Sequence, residues 1–136
     1  MFRLIKFLAP IIGAENAHNY SVLLLHLIGK IPGAKWFMRK LYAVEDPALE
    51  RDVFGIHFRN PIGMAAGFDR NGEIYSELGA LGFGFVEIGT ITPQPQNGNP
   101  KPRVFKLPND KAIMNRIGLN SKGFEKVITN LRKADH

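Results

Sequence analysis

Apolar residues along the first forty positions recur at three- and four-residue steps. Phe2, Ile5 and Leu8 share one face, with Arg3 and Lys6 on another, as in an amphipathic helix. Tyr20, Leu23, Leu24, Leu27 and Ile28 repeat the spacing. They predict a second helix that starts at Asn16 as N-cap and ends near Gly29. Pro32 and Gly33 then break the chain. A third short helix is predicted in AKWFMRKLYAV, which sets Trp36, Phe37, Leu41 and Tyr42 beside Lys35, Arg39 and Lys40.

Over residues 47–60 the helical period is gone. VFGIHFR alternates loosely and predicts a short hairpin arm. PIGMAAG, bounded by Pro61 and Gly67, reads as a buried strand near 62–66. FDRNG is a turn. Glu73–Leu81 predicts a helix with Ile74, Leu78 and Leu81 on one face, and FGFVEIG (83–89) predicts a second buried strand. Strand, helix and strand make a βαβ unit, whose strands should be parallel. TPQPQNGNPKP is a long loop, of the kind that is usually functional or disordered. RVFKL predicts a short strand, and Ser121 to about Lys133 a last helix. One βαβ unit is not a finished sheet, because parallel strands want both faces covered. The pattern is that of the beginning of a larger α/β protein.

Composition narrows the chemistry. The chain has 136 residues, 45% hydrophobic and 22% charged, which suits one globular domain. It has no cysteine, which excludes a disulfide scaffold, a thiolate metal site and a cysteine nucleophile within these residues. The net charge is +6, and residues 1–40 carry six basic residues against one acid. A basic, apolar head on a near-neutral body points to an anionic partner, either nucleic acid or lipid. No apolar run approaches the ~20 residues that span a bilayer. FLAPIIGA is interrupted by Pro10 and offers a poor cleavage site, so a signal peptide is not expected. Rings mixed with Lys and Arg on short helices suit a membrane interface. The plainer reading is a helical subdomain packed on a core.

Each local motif has a competing explanation. GFGFVEI (82–88) resembles an RNA-recognition strand, but Leu81 stands where a cation belongs and Ile88 where a stacking aromatic belongs. A buried strand with Phe83, Phe85, Val86 and Ile88 in the core explains it better, and no nucleic-acid partner is expected. Gly79, Gly82 and Gly84 precede a strand rather than follow one, so they are not a dinucleotide loop. His18 and His26 lie about two helical turns apart on roughly one face, with no carboxylate between them to complete a metal set. AAGFDRNG follows a predicted strand. Its small residues let a flat ligand approach the backbone, and Asp69 and Arg70 offer an acceptor and a cation at the strand end where α/β folds bind ligands. NRIGLN sets two amides around a glycine, which matches the amide edge of a pyrimidine. An ordinary turn explains either segment equally well in isolation.

Taken together, NPIGMAAGFDRNGE, LGFGFVEIGTITPQPQNGNPKPRVFKLP and NRIGLNSKG resemble the opening third of the membrane-associated, quinone-dependent dihydroorotate dehydrogenases. ENAHNY resembles the helical segment before the barrel in that class, which the cytosolic class lacks. The resemblance runs from about residue 10 to 130. It implies an α/β fold, the start of a (β/α)₈ TIM barrel, with a helical quinone- and membrane-docking segment at 1–44 and the first part of the barrel at 45–136. It implies FMN as cofactor and oxidation of dihydroorotate to orotate in pyrimidine biosynthesis. A hydride passes to the flavin, a serine takes the other proton, and a quinone receives the electrons.

By the same resemblance, Ala66, Gly67, Phe68, Asp69, Arg70 and Thr90 would line the flavin. Arg70, Asn115, Arg116, Ile117, Gly118 and Leu119 would bind orotate, with Asn120 completing the pattern. His18 and Lys106 would face the quinone. Two positions depart from the family: Arg70 replaces a usual lysine, and Lys106 a usual arginine. Both keep charge but change shape and hydrogen bonding. A (β/α)₈ barrel needs ~250 residues. The chain is therefore expected to be an N-terminal portion that lacks the serine base and the FMN phosphate loops, has no catalytic residue of its own, and alone binds FMN weakly or not at all and does not turn over. The whole protein is expected at the cytoplasmic face of a bacterial inner membrane, held peripherally.

Overall fold

The computed structural model describes residues 13–134. The helix predicted over Phe2–Leu8 lies outside them. Helix α1 spans Ala14–Gly29 and α2 spans Ala34–Tyr42. Asn16 is not the N-cap of α1. The helix starts two residues earlier, after Gly13 at φ 81°, with no capping side chain. Glu15 in its first turn is bonded to Arg103, 88 residues away, a long-range tie that local capping rules do not see. Among the described residues α1 buries no side chain and α2 buries only Met38.

A 3₁₀ turn at Pro47–Leu49 leads into the predicted hairpin, β1 (Arg51–Val53) against β2 (Ile56–Phe58), antiparallel. Phe54 and Gly55 at its tip both take positive φ, as a tight two-residue hairpin turn requires. Next come β3 (Gly63–Met64), α3 (Tyr75–Ala80) and β4 (Phe85–Val86). β3 and β4 pair in parallel, with Gly63 opposite Phe85, so the predicted βαβ unit forms.

Its strands are shorter and more open than the apolar runs predict. Ile62 is 64% exposed and Phe85, expected in the core, is 44% exposed. Among the described residues this ladder has two strands only. A run that would be covered on both faces in a wide sheet therefore stays half open. Phe85 instead meets Phe58 of the hairpin edge to face.

β5 (Val104–Leu107) forms where predicted, and it pairs antiparallel with β6 (Ala112–Asn115), which the pattern did not predict. Helix α4 spans Phe124–Ala134, three residues later than its predicted start. Ser121 is taken up instead by a reciprocal backbone bridge to Gln96, and Gly123 sits at φ 84°. The most enclosed side chains are Ile74 and Leu78, at the start of and within α3, and Val127 of α4, and the two helices are in contact. Tyr75 donates its hydroxyl to Leu131 O across that contact, at 2.9 Å. The result is an α/β arrangement of partial sheets, with no closed barrel among the described residues.

Candidate functional site

The C-terminal ends of β3 and β4 run into two short loops that brace each other. Glu87 N–H donates to Met64 O, Gly67 N–H to Gly89 O and Gly89 N–H to Asp69 O, at 2.9 to 3.2 Å. Gly67 sits at φ 101°, and a Cβ built there meets nothing within 4 Å. Glycine is therefore set by the backbone rather than by crowding, and the space beyond it is open.

That space is a cavity of about 350 Å³. Ala66 and Gly67 form one wall and Gly89 and Thr90 a second. The residues that follow β6 (Asn115, Ile117, Gly118, Leu119 and Asn120) form the third. The guanidinium-bearing Arg70 also lines it. The AAGFDR and NRIGLN segments, some fifty positions apart, thus face one cavity.

Phe68 and Asp69 do not line this cavity. Asp69 is 2% exposed, and its two oxygens accept the N–H groups of Glu73 and Ile74 at 2.8 and 2.9 Å. It fixes the turn that launches α3. Phe68 turns to the other side, where its ring meets His18 of α1 edge to face at 5.1 Å. There a larger cavity of about 890 Å³ runs between α1 and the 68–73 turn. His18 and His26 both line it, and His26 Nδ1 lies 3.3 Å from Glu73 O. Arg70 lines both cavities and stands between them. Burial, then the neighbouring Arg70 charge, push His18 below the ordinary histidine range. Burial also lowers Arg70 from its usual value, without bringing a guanidinium near neutrality.

The two remaining candidates lie elsewhere. Arg116 stacks its guanidinium over Phe105, 5.9 Å from the centroid, and donates to Pro102 O at 3.3 Å. It lines neither cavity. Lys106 is exposed on β5 and lines neither cavity.

Sequence reasoning missed Arg103 and Glu15. Arg103 is 8% exposed and bonds the Glu15 carboxylate at 2.7 Å. Lys101 approaches the same carboxylate at 3.4 Å. The hydrogen bond from Arg103, aided by both cations, holds Glu15 below the usual carboxylate range. The one available signal was Glu15 as the lone acid of a basic head.

The small cavity suits a planar ring stacked on backbone beside a small anion. It offers glycine and alanine walls, a hydroxyl, two carboxamides and one cation. Its volume, about 350 Å³, lies at the low end of ligand pockets, about 300–1,000 Å³, so it suits a ligand of ring size. Among the described residues no three His, Asp or Glu side chains gather as a metal site.

A family model described as dihydroorotate dehydrogenase matches residues 48–136. The chain is 48% identical over 118 residues to a dihydroorotate dehydrogenase (quinone) of Christiangramia forsetii, covering 87% of this chain and 35% of that protein. It is 46% identical over 132 residues to the protein of that name from a Roseiflexus species, covering 97% and 37%. The fold is similar to a crystal structure of Eimeria tenella dihydroorotate dehydrogenase in complex with ferulenol. The TM-score is 0.77 at 42% identity, over 96% of this chain and 33% of that one. A ligand-free structure of the same enzyme gives 0.72 at 46% identity, over 89% and 32%. The chain thus spans about a third of the length of the relatives it matches.

Proposed function

The chain belongs to the dihydroorotate dehydrogenase family, and from that premise we propose that it forms the flavin- and orotate-facing part of a quinone-dependent dihydroorotate dehydrogenase. The observation that carries this reading is the convergence of Ala66, Gly67, Arg70 and Thr90 with Asn115, Ile117, Gly118, Leu119 and Asn120 on one small cavity. FMN, when bound, supplies the two-electron acceptor. The chain's own residues bind and orient. Gly67 and Ala66 let a flat ring lie close to the backbone. Arg70 presents a permanent cation to a substrate carboxylate. Asn115 and Asn120 offer donor and acceptor to the amide edge of a dihydropyrimidine. Phe68 and Asp69 act at one remove, through His18 and the α3 turn.

We place the quinone in the larger cavity between α1 and the 68–73 turn, beside His18, with Lys106 an outlying cation on β5. Residues 1–44 form the docking segment and 45–136 the start of the barrel. On the described part of the head Leu23, Leu24, Leu27, Trp36, Phe37 and Leu41 are all more than half exposed, beside Lys30 and Lys40. That mixture fits peripheral contact with an anionic membrane, such as the cytoplasmic face of a bacterial inner membrane. No described helix is long and apolar enough to cross a bilayer.

The test is a titration of the full chain with FMN and then orotate, both carried to millimolar concentration because a chain spanning about a third of its relatives should hold them weakly, followed by flavin difference absorbance. An orotate-dependent shift in the flavin band, lost in Arg70→Ala, is the expected result. No shift at millimolar orotate with FMN present would sink the reading. A non-catalytic docking module would then remain, recognised by liposome binding that weakens with salt.

A further inference from the structure

The Glu15–Arg103 pair plays no part in the chemistry described above, yet it is the most elaborately bonded charge pair among the described residues. Arg103 Nη2 donates to Glu15 Oε1 at 2.7 Å, and Nε donates to both carboxylate oxygens at 3.1 and 3.3 Å. Arg103 Nη1 donates to Asn97 O and Asn99 O at 2.8 and 3.0 Å. A guanidinium this enclosed is tolerated because its donors are filled.

The 97–99 segment held by Arg103 leans directly on the wall of the small cavity. Asn99 N–H donates to Ile117 O at 2.9 Å, and Asn99 Nδ2 to Arg116 O at 2.7 Å. Arg116 N–H returns a bond to Arg103 O at 2.8 Å. A Cβ at Gly98 would stand 2.3 Å from Ile117 O, so the approach admits glycine only.

The opposite wall is reached from the same helical turn. His18 lies three residues after Glu15 on α1, on the same face. Its ring rests on Phe68, which is flanked in the chain by Gly67 and stands two residues before Arg70. One turn of α1 therefore holds both sides of the cavity: Ile117 through Arg103, and the 66–70 loop through Phe68.

We propose that the first turn of α1 is a clamp that sets the spacing of the small cavity, with Glu15 and Arg103 as its positioning residues. Ligand in the small cavity and the placement of the head helix are then linked, each favouring the other. The identity of that ligand rests on the proposed function, whereas the clamp itself does not.

The experiment is hydrogen exchange on the full chain, wild type against Glu15→Ala. The Asn99 and Arg116 amides report on the cavity wall, and the β1–β2 hairpin is the control. Expected is faster exchange at both reporters by about tenfold, with the hairpin unchanged. Faster exchange confined to α1 would reduce the pair to an anchor and overturn the clamp. Should Glu15→Ala fail to fold, Glu15→Gln keeps the shape, removes the charge and is read the same way. A second measurement is equilibrium dialysis of orotate with FMN present. Weakening by about tenfold in Glu15→Ala, partly recovered by Glu15→Asp, supports the clamp. Unchanged affinity with loosened reporters overturns it. If wild type takes up neither FMN nor orotate, the proposed function fails, and the exchange data still decide the clamp.

Discussion

Helix α1 and helix α3 reverse the usual link between apolar sequence and burial. The sixteen residues of α1 include four leucines, and none of its side chains is buried among the described residues. The six residues of α3 include one leucine and two glycine or serine positions, yet Glu77, Leu78 and Ala80 are buried. The difference is what each helix faces. α3 sits among α1, α2 and β4, and its preceding Ile74 is fully enclosed. α1 turns Leu23, Leu24 and Leu27 outward, each more than half exposed. Apolarity made α1 amphipathic, while position in the fold made α3 the core. An exposed apolar stripe of this size is what the proposed membrane contact requires.

Truncating the two regions should separate them most sharply. Leu78→Ala removes a fully enclosed side chain and should cost about 3 kcal/mol. Leu24→Ala, on the open face, should stay within about 0.5 kcal/mol. Urea unfolding of both variants checks this, and equal losses would mean that the α1 face is covered in solution.

Asp69→Ala comes next. It leaves the Glu73 and Ile74 N–H groups without acceptors at the start of α3 and should cost about 2 kcal/mol. If Asp69 acted only as a ligand contact, unfolding would be unchanged while FMN uptake fell.

Acid should reach the head–body tie next. Glu15 faces Arg103 and Lys101, with Arg70 and His18 nearby. Its folded-state pKa lies below the ordinary carboxylate value. The stabilisation is therefore present above that ordinary value and is lost as pH falls through the lower, folded one. Glu15→Gln should be less stable than wild type at neutral pH by about 1–2 kcal/mol, and the two should converge in acid. A constant difference from pH 7 to pH 3 would deny the charge a role.

The smallest stability effect belongs to the head surface. Trp36→Ala with Phe37→Ala should leave unfolding within about 0.5 kcal/mol. Binding to anionic liposomes should drop severalfold. Unchanged liposome binding would move the contact off α2.

Much of this was legible locally. The helical periods of α1 and α2 and the parallel βαβ unit follow from side-chain spacing. So does the β1–β2 hairpin, whose Phe54–Gly55 tip needs no distant partner. β6 escaped because AIMN lacks alternation. Only the Pro108–Lys111 turn, closed by Lys111 N–H to Pro108 O at 3.2 Å, hinted at a return strand. α4 starts later than its spacing predicts because the backbone of Ser121 is claimed by Gln96, 25 positions earlier.

The candidate site divides the same way. Small residues after β3, a glycine between two asparagines and one cation beside Asp69 were visible as residue types. Their family resemblance was visible as ordered motifs. Only the tertiary structure decided that Asp69 serves its own turn, that Phe68 belongs to the head side, and that Arg116 lies on Phe105 outside the cavity. It alone joined Glu15 to Arg103. Spacing along a helix or strand fixes which side chains share a face, because backbone geometry is local. Which face meets which partner depends on contacts between positions tens of residues apart, and those exist only once the chain has folded.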